Sequence, residues 1–368
     1  MGKSGWLSSI FLALALGGCS SEKDTQSNDL EQALQQRLSA NSHAVKSVFG
    51  VGESVYVRSL AVEQENQHLW VGTSAGVHEI DLKDQNPLNT FTRDDGLANE
   101  YVFAIHVDPD GYKWFGTNAG GMTRYKDGDW KTFFPMHGLA DYWIYSFADA
   151  VDGSLWVGTW AGVNHMNRQT EQMDTYVAEL VNEWVYGIGR DSKGNIWFGT
   201  EGGVTRFDGN EWTSWTHKDG MGAENAQQLP FSTNTGLGTR NRHDLGILAG
   251  GEATYNPNYV FSVLVDEQDR VFVGTWGAGV SIYEAGKWRN LTTQDGLAGN
   301  VVYSIARDQI GNYWFGTNGG VSRFDGETWQ TIGRANGLPS QDVYALAIDA
   351  QGDVWAGVRG SVVQITKK

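Results

Sequence analysis

The sequence predicts an all-β chain: a seven-bladed β-propeller of four-stranded antiparallel blades, closed by an N-terminal strand in the last blade. Three observations predict it. The phrase Trp-x-Gly-Thr, with small variations, recurs from Trp70, Trp114, Trp156, Trp197, Phe272, Trp314 and Trp355, at steps of 44, 42, 41, 75, 42 and 41 residues. A period in the low forties means one supersecondary unit repeated in a closed or stacked array. Each repeat holds four runs of strand length separated by turn residues, as a propeller blade requires. None of the runs has the 3.6-residue periodicity of a helical solenoid.

Within a repeat the first strand is an apolar run such as Tyr101 to Asp108 or Val301 to Asp308. A tight turn follows, beginning at Asp108, Asp191 or Asp308 and reaching Gly111, Gly194 or Gly311. The second strand carries the tryptophan phrase. The third is 120–125, 202–207 or 319–324, and it ends at a hairpin signal, Asp127-Gly128, Asp208-Gly209 or Asp325-Gly326. The fourth strand opens at Trp130, Trp212, Trp288 or Trp329. Asp95-Gly96-Leu97, His137-Gly138-Leu139, Asp295-Gly296-Leu297 and Asn336-Gly337-Leu338 begin the links to the next repeat. Strands such as 301–305 do not alternate cleanly because blade sheets are covered on both faces. The last repeat stops near Ile365 without a fourth strand. Residues 45–50, just before the first repeat, are expected to supply it and so remove an open edge. The predicted domain is thus 45–368, with a long insertion at about 220–258.

The phrase Asp-x-x-Gly-Asn-x-Trp-Phe-Gly-Thr-x-Gly-Gly-Val-Ser/Thr-Arg-Phe-Asp-Gly is nearly intact at 191–209 and 308–326. It resembles the two-component-regulator propeller repeat, and the resemblance covers about 54–365. It implies a periplasmic sensor-type propeller that detects ligands such as oligosaccharides. In that family the propeller is joined to a kinase. No kinase, receiver or DNA-binding segment follows Lys368, so the expected route of signalling is through another protein.

Residues 1–18 read as an export signal: Lys3, then the apolar run Trp6 to Leu16, too short to stay in a bilayer as a spanning helix. Leu16-Gly17-Gly18-Cys19 resembles a bacterial lipobox. Cys19, the single cysteine, is the expected lipid attachment site. Ser20 after it, rather than Asp, favours the outer membrane of the cell envelope. One cysteine excludes internal disulfides, so the fold is stable without them. Residues 20–44 read as a tether, in which Leu30, Ala33, Leu34 and Leu38 have the spacing of a short amphipathic helix capped by Asp29. The net charge of −16 repels nucleic acid and anionic lipid, leaving acyl chains as the membrane anchor.

Residues that recur in every repeat are read as architecture: the glycine of the phrase for close packing, and Asp108, Asp191, Asp266, Asp308 and Asp349 as turn formers rather than calcium ligands. Positions that differ within this constant frame are candidates for function. Directly after the Gly-Thr phrase stand Ser74, Asn118, Trp160, Glu201, Trp276, Asn318 and Arg359. This loop joins the second and third strands and opens, with the blade-to-blade links, at the mouth of the central channel. Asn118, Trp160, Glu201, Trp276, Asn318 and Arg359 are therefore the predicted ligand-binding set, aromatic faces with polar groups that suit a sugar or another amphipathic molecule. Ordinary loop variation would explain them equally well, but a loop tryptophan needs burial or a partner. The insertion, which includes Arg240, Arg242, His243 and Asp244, enters on the same face, and a long loop there is usually functional.

Signals for an enzyme are weak. No His-Glu-x-x-His is present, and the eight histidines have no metal-ligand spacing. No cofactor, metal or catalytic residue is predicted. The leading expectation is an exported module that binds a small molecule, a glycan or a protein of the envelope. A docking scaffold and a propeller lyase, the latter with His243 and Glu201 as an acid/base pair, remain as alternatives.

Overall fold

A computed structural model describes residues 42–232 and 253–368. They form seven four-stranded antiparallel sheets and no helix beyond single 3-10 turns. Six sheets are consecutive in sequence. The seventh takes three strands from 343–367 and its fourth from His43–Gly50, which pairs antiparallel with Ser361–Lys367 from His43↔Lys367 to Gly50↔Ser361. The expected closure is present and begins two residues earlier than the sequence indicated. Residues 1–41 lie outside the described residues, and with them the expectations on Cys19, the tether and the short helix. Among the described residues no helix is long and apolar enough to cross a membrane.

The recurrent phrase has a separate structural task at each position. The tryptophan indole donates to the acid that opens the turn before it: Trp114 Nε1 to Asp108 Oδ2 at 2.8 Å, Trp197 to Asp191 at 3.1 Å, Trp314 to Asp308 at 3.0 Å and Trp355 to Asp349 at 2.9 Å. In the first blade Glu63 takes that role for Trp70 at 2.8 Å. The glycine lets the next blade approach: a β-carbon on Gly199 would lie 2.5 Å from Val260 Cγ1, and one on Gly274 2.7 Å from the Val302 carbonyl oxygen. The threonine hydroxyl closes the hairpin to the third strand, as in Thr117 Oγ1 to the Gly121 carbonyl at 2.8 Å.

The core lies between blades rather than inside each one. Trp70, Val77 and Phe91 of the first blade pack with Val102 and Phe115 of the second. Trp314, Val321 and Ile332 of the sixth pack with Val343, Val354 and Val363 of the seventh. Four of the links contain a tight 3-10 turn. In the first, Arg93–Asp95, the amide of Thr92 donates to Asp95 Oδ2 at 2.8 Å. Gly96 ends the turn with φ +119°, a conformation that favours glycine, and Leu97 is then driven into the core. At the insertion Met221 replaces that leucine.

Candidate functional site

The seven innermost strands surround the axis. They are Val57–Glu63, Val102–Val107, Ile144–Asp149, Val185–Arg190, Asn256–Val265, Val302–Arg307 and Val343–Ile348. Each carries a β-bulge near its start: pairing with the second strand shifts between Val57 and Ser59, and likewise between Val102/Ala104, Ile144/Ser146, Val185/Gly187, Val260/Ser262, Val302/Ser304 and Val343/Ala345. A bulge leaves one residue out of the ladder and re-aims its side chain. Here the freed residues are Arg58, Phe103, Tyr145, Tyr186, Phe261, Tyr303 and Tyr344, and all seven line one cavity on the axis.

These seven form an unbroken ring. Centroid separations are 4.9 Å for Phe103–Tyr145, 4.8 Å for Tyr145–Tyr186, 5.8 Å for Tyr186–Phe261, 5.9 Å for Phe261–Tyr303 and 5.2 Å for Tyr303–Tyr344. Arg58 completes it, with its guanidinium carbon 5.3 Å from the centroid of Phe103 and 5.9 Å from that of Tyr344. Each aromatic pair contributes about 0.5–1.5 kcal/mol beyond its burial, so the ring is a rigid wall. The cavity holds about 310 Å³ and is also lined by Tyr101, Asn118, Trp160 and Tyr259. Burial pushes the hydroxyls of Tyr186, Tyr259, Tyr303 and Tyr344 above the usual phenol range, so they stay neutral donors at any physiological pH. Asp342, which accepts from Tyr303 Oη at 3.4 Å, is itself raised by burial. Glu201 accepts from Tyr186 Oη, also at 3.4 Å.

The predicted set lies on one face, each residue next to the start of an inner strand. The amides of Asn118, Trp160, Glu201 and Asn318 donate to the carbonyls of Tyr101, Trp143, Trp184 and Val301. Of the six, Asn118 and Trp160 reach the cavity wall, whereas Glu201, Trp276, Asn318 and Arg359 do not. Trp160 and Trp276 are only 6% and 5% exposed. Trp160 packs on Trp184 at 4.5 Å and Tyr145 at 6.1 Å. Trp276 packs on Phe261 at 5.5 Å and donates from Nε1 to Thr254 Oγ1 at 2.8 Å. These tryptophans thus form a second aromatic layer that supports the ring. Asn318 and Arg359 are exposed on the rim, with Arg359 over Tyr56 at 5.4 Å.

The contact between Thr254 and Trp276 brings the C-terminal end of the insertion to the same face. Residues 233–252, including Arg240, Arg242, His243 and Asp244, lie outside the described residues. The ring residues were missed in the sequence because they sit inside apolar runs. The signal was present: the residue after the first valine or isoleucine of the inner strand is aromatic in six repeats and arginine in one.

A second charged cluster lies between the first two blades. Glu63, His68 and Glu79 bring ligand atoms within 4.8 Å of one another. Glu63 Oε1 accepts from Lys113 Nζ at 2.9 Å and its Oε2 from Trp70, while Glu79 accepts from His68 at 2.8 Å and Asn89 at 2.6 Å. The ammonium of Lys113 already supplies a positive charge to Glu63.

Three segments of the chain, 179–202, 296–319 and 337–360, match the family model described as two component regulator propeller. No protein curated for function matches the chain in sequence. Among solved structures, the extracellular domain of a B. thetaiotaomicron protein described as a hybrid two component system is similar, with a TM-score of 0.68 and 18% identity over 88% of this chain. This chain spans 41% of that one. A catalytically inactive variant of virginiamycin B lyase from Staphylococcus aureus, solved with quinupristin, has a TM-score of 0.64 and 13% identity. That match covers 88% of this chain and 99% of the lyase. At these identities the likeness is one of fold.

Proposed function

We propose that this chain is an exported, lipid-anchored sensory propeller that binds a small molecule in its central cavity and passes the signal to another protein. The observation that carries the reading is the closed ring of six aromatics and Arg58, turned inward by a bulge in every blade. A propeller needs a filled or plugged axis, but it does not need seven bulges that aim large side chains at a cavity. Aromatic walls with hydroxyl donors suit a sugar or another amphipathic ligand. The three matched segments favour a sensor over an enzyme, and Leu16 to Cys19 favours export with a lipid anchor.

The test is a thermal-shift screen of sugars and small metabolites on residues 20–368, since a ligand that binds only the folded state raises its melting temperature. A hit from the cavity is lost in Tyr303→Leu and kept in Asn318→Ala with Arg359→Ala. The reverse pattern moves the site to the rim. Chemical turnover of a hit replaces the sensor reading by an enzyme.

A further inference from the structure

Resting on the reading of the cavity as a ligand site, we infer that its ligand carries a carboxylate, held by Arg58, on a ring-sized body that stacks against the aromatic wall.

The position itself is the first argument. In six blades the bulged residue is aromatic, and a seventh aromatic would complete the wall. The first blade has arginine there instead. An arginine brings a positive charge to the wall, and taking a charge out of water is costly unless a partner compensates it.

The second argument is its lack of a counter-charge. Nε and Nη1 of Arg58 are buried and have no hydrogen-bond partner among the described residues. Other buried or partly buried cations of the molecule are paired with acids: Lys113 with Glu63 at 2.9 Å, Arg270 with Asp266 at 2.7 Å, and Arg168 with Asp149. The chain has an excess of 16 negative charges, yet among the described residues none is placed on Arg58. Contacts with Phe103 and Tyr344 offset only part of the desolvation of this partly buried cation. A bound anion would supply the rest.

The third argument limits the anion. One arginine compensates one charge, and the neighbouring acids, Glu201 on Tyr186 and Asp342 on Tyr303, disfavour a second. A planar monoanion also matches the guanidinium fork, which binds a carboxylate through two parallel N–H···O bonds. The cavity, about 310 Å³, is at the small end of ligand pockets and admits one or two rings rather than a long chain. Acidic sugars and aromatic acids share this chemistry.

The experiment measures binding of galacturonate against galactose, and of benzoate against benzyl alcohol, to the full chain by calorimetry. The first pair reports an acidic sugar and the second an aromatic acid. At least one carboxylate is expected to bind about tenfold or more tightly than its neutral counterpart, the scale of one charge-assisted hydrogen-bonded pair. Arg58→Phe, which completes the aromatic ring, should erase that preference while melting no lower than the parent. Arg58→Gln gives the same readout if the bulkier change disturbs the ring. Equal binding of carboxylate and neutral probes, or a preference that survives both substitutions, overturns this inference and leaves the cavity as a ligand site. No binding by any of the four probes overturns it as well, and then the wider metabolite screen decides the cavity separately.

Discussion

Gly357 of the seventh blade lies against Val57 of the first: a β-carbon on Gly357 would fall 2.5 Å from Val57 Cγ1 and 3.2 Å from Ala345 Cβ. The same contact joins Gly72 to Val102 and Gly316 to Val343, so the ring closes through the relation that builds it. Gly357→Ala is expected to overpack this seam and lower stability by about 1–3 kcal/mol in denaturant unfolding. Val57→Ala should recover part of the loss, giving a non-additive double-mutant cycle. Additive losses would mean that the seam is loose.

The strand His43–Gly50 covers the edge of Ser361–Lys367. Removing residues 1–50 should therefore lower the melting temperature well below that of a chain lacking only 1–41. It should also promote association through the exposed edge. Equal melting of the two truncations would show that this pairing contributes nothing.

Asp308 accepts from Trp314 Nε1 at 3.0 Å, from the Asn312 amide at 2.7 Å and from Asn312 Nδ2 at 2.6 Å. Asp308→Ala strands these buried donors and should cost about 1–3 kcal/mol or more. Calorimetric unfolding measures this. A neutral result would show that the acid is dispensable to the turn.

Burial holds His106 down to about 4, with the nearby Arg168 adding to the effect, although its Nε2 lies 3.0 Å from Asp149 Oδ1. The unfolded state, with an ordinary histidine near 6.5, binds the proton first. Stability from this group is therefore full above about pH 6.5 and lost as pH falls towards 4. The imidazole keeps partial exposure, so the expected loss from pH 7 to pH 5 is about 1–2 kcal/mol. His106→Gln should flatten the stability profile over that interval, and an unchanged slope would assign it to other groups.

Trp160 is packed among Trp143, Tyr145 and Trp184. Trp160→Ala should therefore destabilise the fold by about 3–5 kcal/mol, as expected for a buried tryptophan. It should also weaken binding, because Tyr145 loses its support. Weaker binding with unchanged melting would restore Trp160 as an exposed stacking residue.

The sequence by itself determined the blade count, the strand order within each blade and the closure by residues near 45–50. These follow from local chemistry that repeats: a tryptophan that needs its acid, a glycine that admits the next sheet, a threonine that closes a hairpin. It also placed the candidate loops on one face, because loops that follow one phrase in every blade must emerge together. Only the tertiary structure decided which side chains meet on the axis. Arg58 and Tyr303 each stand second in a mostly apolar strand covered on both faces, where alternation carries no direction. Their inward aim comes from a bulge, and a bulge exists only once the inner strand has paired with its neighbour. For the same reason Trp160 and Trp276 read as open loop residues in sequence, yet the adjacent blades bury them.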